Sequence, residues 1–249
     1  MNGLTTVVNE GVATFTLDRP EARNALTPAL IGELVRGLED AGGGDIRAVV
    51  MRGAGEAFCA GYDLNHMTSP GTGETGRERD EVERICSALG ALPMPTIAAV
   101  SGVASGAGCD IAMSCDVRLA AEDARVAMPP ARLGILYSPA GIERLTSLVG
   151  PAIAKELLFT GALIDARRAL AIGLVNRVVP GALLDDEVAA FVAEILANAR
   201  LSVEASKLIV DGAPADQIAE AERRVWQSAD ASEGAQAFRE RRAPRFLGR

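Results

Sequence analysis

Near the start of the chain, Thr5-Thr6-Val7-Val8 and Ala13-Thr14-Phe15-Thr16-Leu17 show apolar alternation on either side of Asn9-Glu10-Gly11. A period of two broken by turn residues predicts a β-hairpin. Thr27 followed by Pro28 predicts a helix start, because the threonine hydroxyl can accept a free N–H and proline at the first position forfeits no helical bond. Ala48-Val49-Val50-Met51 reads as a strand, Gly53 to Met67 as a loop, and the Gly-rich polar stretch Ser69 to Gly76 as a mobile insert. A helix is expected near Arg79 to Leu92, a strand at Thr96 to Val100, a helix from Gly106 and a strand at Val117 to Ala121. Strands alternating with helices predict an α/β core. From about Leu183 the pattern is wholly helical, which divides the chain into a core over residues 1–182 and a helical region over 183–249.

The centre of this pattern runs from Ile97 to Asp116, an apolar strand passing through Gly102, Gly106 and Gly108 into an apolar helix with one acid. Gly106-Ala107-Gly108 would leave backbone N–H groups bare at a helix N-terminus, where the helix dipole favours developing negative charge. Asp110 falls in the first turn. Ile111, Ala112, Met113 and Cys115 make that helix apolar nearly all round, so it should be buried. A buried carboxylate needs a partner or a task.

A chain of 249 residues, 49% hydrophobic, can bury one full core. It has no apolar stretch long enough to span a membrane and no charged-then-apolar leader, so a cytoplasmic protein without a membrane partner is expected. Cys59, Cys86, Cys109 and Cys115 have no C-x-x-C spacing and apolar surroundings, which predicts reduced core thiols. With His66 as the single histidine, a histidine-rich metal site is excluded. A net charge of -8 argues against a nucleic-acid partner.

Three chemistries compete for these residues. Ser101-Gly102-x-x-x-Gly106-x-Gly108 imitates a dinucleotide fingerprint, but it lies mid-chain and no Tyr-x-x-x-Lys pair accompanies it. Ser105 and Ser138 with His66 could suggest a serine hydrolase, although neither serine stands in Gly-x-Ser-x-Gly. A catalytically inactive binding protein on an enzyme fold is the third possibility.

Six segments in fixed order bear on the choice: Asp18-Arg19-Pro20-Glu21-Ala22-Arg23-Asn24-Ala25-Leu26, Ala57-Phe58-Cys59-Ala60-Gly61-Tyr62-Asp63-Leu64, Gly106-Ala107-Gly108-Cys109-Asp110, Lys155 to Gly161, Ala169 to Val179, and Phe238 to Phe246. Together they resemble the crotonase, or enoyl-CoA hydratase/isomerase, superfamily over essentially the whole chain. The resemblance implies a spiral of ββα turns, a helical C-terminal region that forms homotrimers or hexamers, and an acyl-CoA substrate with no metal or redox cofactor. It places the two backbone donors of an oxyanion hole at Tyr62 and Ala107. It also puts Arg23 near the nucleotide, and Ala60, Asp63, Leu64 and Gly106 along the substrate path. Two readings stay open for the basic end (Arg239, Arg241, Arg242, Arg245, Arg249): contact with CoA phosphates of a neighbouring subunit, or a solvated helix face.

Departures from the family pattern bear on the reaction. Hydratases of the family carry a glutamate at the position of Asp110 and a second in Pro-Glu-x-x-x-Gly; here that segment reads Pro129-Pro130-Ala131-Arg132-Leu133-Gly134. Hydration divides its proton transfers between two carboxylates, and one is missing. Tyr137, three residues after Gly134, is similar to the tyrosine of methylmalonyl-CoA decarboxylases, which makes Asp110 and Tyr137 the candidate catalytic pair. Decarboxylation or double-bond isomerisation is therefore expected over hydration. Tyr62's side chain could wall the acyl pocket or act chemically.

Overall fold

The computed structural model describes residues 3–66 and 76–248. Most of the expected insert, up to residue 75, lies outside the described residues. The hairpin forms as read: β1 (Leu4–Asn9) and β2 (Val12–Leu17) pair antiparallel, with Glu10 and Gly11 at φ 47° and 79° in the turn. β1 is the sheet edge and stays exposed along most of its length.

Six strands form one sheet. β3 (Ala48–Gly53), β5 (Thr96–Val100), β7 (Val117–Ala121) and β10 (Arg177–Val179) extend it from β2, each parallel to its neighbour. Four shorter strands form a second sheet: β4 (Ala57–Cys59), β6 (Val103–Ser105), β8 (Arg125–Ala127) and β9 (Ile164–Asp165). The pairs β3–β4, β5–β6 and β7–β8 thus each give one member to each sheet before a helix closes the turn, which is the expected ββα spiral.

The large sheet is apolar on both faces. Val49, Met51, Ala98, Val100 and Ala120 point into the main core, while Ala48, Val50, Ile97, Ala99, Leu119 and Ala121 form a second cluster. Alternation with both sides buried explains why these strands read as continuous apolar runs. On the main-core side lie α1 (Pro28–Gly42), capped by Thr27 Oγ1, which accepts the Leu30 N–H at 3.2 Å, and α2 (Arg77–Gly90). The central helix α3 (Ala107–Ser114) buries all but its last residue.

Two boundaries differ from expectation. The loop Gly53 to Met67 contains β4, and the strand-to-helix run from Ile97 is divided at Gly102 into β5 and β6, which belong to different sheets. Three-residue strands carry no measurable period, so pairing alone defines them. Gly102, at φ 53°, makes the corner because any side chain there would overlap the Glu56 carbonyl.

α4 (Pro130–Leu133), α5 (Pro139–Thr160) and α6 (Ala166–Ala171) complete the spiral; α5 turns sharply at Gly150 (φ 77°, ψ 160°) ahead of Pro151. The helical C-terminal region follows as α7 (Leu184–Leu196), α8 (Arg200–Val210), α9 (Ala215–Gln227) and α10 (Ala229–Glu240). Leu184, Val188 and Val192 of α7 seal the second face of the large sheet. Lys207 fastens α8 to the core through Asp116 (2.7 Å) and the Met94 carbonyl (3.3 Å). On α9, Ile218, Ala221 and Val225 are half-buried, but Trp226, about 100° further round, is 79% exposed. Arg242 of the basic end is held by Glu233 and Glu240. No helix among the described residues is long and apolar enough to cross a membrane.

One buried amide anchors the first loop to the spiral. Asn24, in the left-handed region at φ 58°, donates to the Ala54 and Ala57 carbonyls (2.9 and 2.7 Å) and accepts the Arg19 N–H at 2.9 Å. Truncation strands these groups away from water, so Asn24→Ala is expected to lower stability by about 3 kcal/mol in urea titration. Asn24→Asp should cost at least as much at pH 7, because a carboxylate would face two carbonyl oxygens.

Candidate active site

The site begins with two backbone segments in close approach. Leu26 and Tyr62 form an isolated parallel bridge in which Leu26 N–H donates to Gly61 O and Asp63 N–H donates to Leu26 O, both at 2.8 Å. In that geometry the Tyr62 N–H points to the opposite side. Residues 105–107 lie close to the same segment: a side chain on Gly61 (φ 109°) would begin 2.9 Å from Ser105 O and 3.6 Å from Ala107 N. Ala107 opens α3 after Gly106 (φ 56°, ψ −120°), so its N–H is one that the helix leaves unpaired. Gly108 is required for the same approach, since a Cβ there would run into the Cys59 carbonyl. Tyr62 and Ala107, the two sequence-predicted donors, line one cavity.

A cavity opens beside them. Ala60, Tyr62 and Leu64 line one wall, Ser105, Gly106, Ala107 and Asp110 the floor, and Pro129, Leu133, Ile135, Leu136, Tyr137 and Ser138 the opposite side. Glu78, Arg79 and Val82 of α2 close the remaining edge. The lining is mostly apolar with a few polar groups, as small-molecule sites are.

Asp110 and Tyr137 both line this cavity, and each has a buried oxygen with no hydrogen-bond partner among the described residues, Asp110 Oδ1 and the Tyr137 hydroxyl. Arg144 of α5 approaches Oδ1 at 3.6 Å, close enough for attraction and too far for a hydrogen bond. Burial raises the Asp110 carboxyl, Arg144 pulls it back and Glu83 pushes it up again, leaving it at about 6. Burial, with Cys109 and Asp110 nearby, raises the Tyr137 phenol, so it remains a proton donor. Tyr62 directs its hydroxyl to Glu81 of α2 at 3.0 Å, so its ring forms part of the wall.

Other expected residues lie elsewhere. The Asp63 carboxylate is engaged by Arg19 at 3.2 Å and by Asn65; burial opposes ionisation, but these bonds hold it below the usual range. Arg23 is exposed in the preceding loop, in the left-handed conformation, with its carbonyl accepting the Ala60 N–H. Pro130 is buried at the start of α4, and Pro129 rather than an acid faces the cavity. His66 lies 3.8 Å from Asp63, while the Ser138 hydroxyl donates to Glu83 and accepts the Gly141 N–H, an arrangement unlike a serine nucleophile paired with its base. All four cysteines are free and buried, as expected.

The α2 contribution went unread in the sequence. Glu78 and Val82 share a helical face at a spacing of four, but nothing in the sequence says which element that face meets. Glu83, Cys86 and Asp110 place potential ligand atoms within 4.8 Å of one another. A cation is already there: the Arg144 guanidinium lies 3.1 Å from Glu83 and 3.6 Å from Asp110, and burial pushes the Cys86 thiol up to about 12. The donor set therefore fits an ion pair better than a metal.

A family model described as enoyl-CoA hydratase/isomerase matches residues 7–249. A Mycobacterium tuberculosis protein named "Probable enoyl-CoA hydratase" is 38% identical over 246 residues, 96% of this chain and 97% of the relative. A mouse mitochondrial protein named as containing an enoyl-CoA hydratase domain is 34% identical over 259 residues, covering 97% and 86% of the two chains. The crystal structure of an enoyl-CoA hydratase/carnithine racemase from Magnetospirillum magneticum superposes with a TM-score of 0.93 at 30% identity, over 100% of this chain and 97% of that one.

The burial of Asp110 has a cost that can be measured. Its carboxyl rises from 3.8 in the free residue to about 6 in the fold, so the folded state holds the proton more tightly. The Asp110 contribution to stability is then greatest at low pH, falls as pH rises through that interval, and is flat above it. Asp110→Asn abolishes the loss, and the variant is expected to exceed the wild type by roughly 1–3 kcal/mol at pH 7.5 while matching it near pH 3.5, by urea denaturation at both values.

Proposed function

The chain belongs to the enoyl-CoA hydratase/isomerase family, and we propose that its cavity binds an acyl-CoA thioester whose oxygen is held by the N–H groups of Tyr62 and Ala107. Negative charge gathers on that oxygen when an enolate forms, and preorganised donors in a site shielded from water stabilise it. The observation that carries the reading is the convergence on one cavity of these donors with the unpaired oxygens of Asp110 and Tyr137. The substrate completes both groups.

The reaction we favour is decarboxylation or double-bond isomerisation, with hydration secondary. The Pro129 to Gly134 segment brings no acid to the cavity, and the charges acting on Asp110 are those of Arg144 and Glu83, whereas Glu78 acts on Tyr62. In isomerisation, Asp110 as carboxylate takes a proton from the carbon beside the thioester and returns it two carbons further along. In decarboxylation, the carbon–carbon bond breaks, carbon dioxide leaves, and the enolate takes a proton from Asp110 or Tyr137 at the same carbon. A carboxyl near 6 populates both protonation states around neutrality, as either role needs. The spacing of Tyr137 from Gly134 supports a methylmalonyl-CoA-like substrate. A hydratase with an unusual acid–base set is the second reading, favoured by the names of the relatives.

The wider proposal is a cytoplasmic enzyme that needs no metal or redox cofactor and assembles as a homotrimer or hexamer. Free cysteines suit a reducing compartment, and Val210, Trp226 and Phe238, each more than 75% exposed on the C-terminal helices, suit a subunit interface.

A panel of methylmalonyl-CoA, malonyl-CoA, crotonyl-CoA and 3-enoyl-CoA thioesters, read by mass spectrometry, tests the reaction. Turnover of a malonyl or 3-enoyl thioester should exceed hydration of crotonyl-CoA; fast hydration would overturn the preference. On the best substrate, Ala107→Pro should lose roughly 10²–10³-fold in kcat, since it deletes one donor at a helix position that accepts proline. Asp110→Asn or Tyr137→Phe should lose about 10²-fold or more, each variant remaining folded by circular dichroism.

A further inference from the structure

Behind the cavity, Asp110 meets a network that the proposed chemistry does not use. Glu83 of α2 accepts the Ser138 hydroxyl at 2.8 Å through Oε2 and the Arg144 guanidinium at 3.1 Å through Oε1. Arg144 Nε donates to Ser114 Oγ at 2.8 Å, and that hydroxyl donates to the Asp110 carbonyl, also at 2.8 Å. The guanidinium is therefore held from two sides. It stands 3.6 Å from Asp110 Oδ1, outside hydrogen-bond distance, although a short charge-assisted bond would be the stronger arrangement for an isolated pair.

We propose that Glu83 is a positioning residue: by anchoring Arg144, it keeps the guanidinium from closing on Asp110 and leaves Oδ1 without a hydrogen bond. Glu83 itself is absent from the cavity lining, so it acts through Arg144 and Ser138. The inference rests on Asp110 being the proton-transferring group of the proposed reaction. It adds to that reading a second carboxylate, supplied by α2, that tunes the first without touching substrate.

The groups facing Asp110 decide how it responds. α2 presents Glu83 and Cys86, α3 its own Cys109, the segment leading into α5 Tyr137, and α5 Arg144. Across α3, Cys59 of β4 lies against Gly108. Burial pushes the thiols of Cys59, Cys86 and Cys109 and the Tyr137 phenol well above neutrality, so they stay uncharged there. Glu83 and Arg144 are the charged neighbours that act on Asp110. Removing the Glu83 charge takes away a repulsion and frees Arg144 for Asp110; both effects move Asp110 in the same direction, toward easier ionisation.

The test follows the Asp110 carboxyl by 13C NMR through a pH titration, in wild type, Glu83→Gln and Glu83→Asp. In Glu83→Gln the Asp110 midpoint should fall by about one unit; with a 3-enoyl thioester, for which Asp110 acts as the base, the acid limb of the kcat profile should move with it and KM stay within about twofold. The weaker base should lower kcat on the basic plateau by roughly 3- to 10-fold. Glu83→Asp, which keeps the charge, should restore most of the midpoint. An unchanged or raised midpoint in Glu83→Gln, or an equal fall in both variants, would overturn the proposal. If Glu83→Gln does not fold, wild type still decides: the Glu83 carboxyl signal should carry an inflection at the Asp110 midpoint, and its absence refutes the coupling. Full activity in Asp110→Asn would instead sink the reaction proposed for the cavity, whatever the midpoints do.

Discussion

Everything at the site depends on how closely two stretches of backbone approach each other. Residues 60–62 lie against residues 105–107, and the approach tolerates no side chain on Gly61 or Gly108. The bridge to Leu26 turns the Tyr62 N–H away from its own ladder, and the start of α3 leaves the Ala107 N–H unpaired. Two donors made by main chain cannot move without moving the fold. In our proposal that rigidity serves electrostatic stabilisation of an oxyanion, because nothing has to reorganise when charge develops.

The ββα spiral supplies the frame for that contact. β4 and β6 are three residues each, yet they are neighbours in the small sheet, and the backbone leaving each one carries a donor segment. The large sheet lies beneath as a slab buried on both faces, with α7 sealing the side remote from the cavity. Asn24 completes the frame by tying the first loop to the corner between β3 and β4. The precise parts of the site are thus held by short strands and loops, of which β4 is itself fully buried, on the support of the large sheet.

Asp110 is where stability and chemistry pull apart. It is buried, it meets Arg144 without a hydrogen bond, and its Oδ1 has no partner among the described residues. A carboxylate selected for stability alone would be fully bonded or absent. In our proposal the deficit is maintained by Glu83, which draws the shared cation toward α2, and is relieved when substrate meets Asp110 and Tyr137 together. Val210, Trp226 and Phe238 on α8, α9 and α10 are exposed and lie outside the lining of the cavity.

The sequence by itself determined the α/β core, the hairpin, the capped first helix and the buried central helix, and it singled out Tyr62 and Ala107, which line one cavity. These rest on local signals: apolar period, capping residues, glycine spacing, and a run of motifs shared with a family. Only the tertiary structure decided what lies across from them. β4, β8 and β9 are too short to carry a period and exist only through their pairing partners. Asp63, which its motif placed beside the substrate, is instead claimed by Arg19, and Trp226 turns out of the half-buried stripe of α9. The carboxylate beside Asp110 comes from α2 and reaches it through Arg144 of α5, three elements far apart in the chain. Such a network leaves no mark on local pattern, because a charged residue on an amphipathic helix looks the same whether it faces water or a buried guanidinium; the packing of helix on helix alone makes the difference.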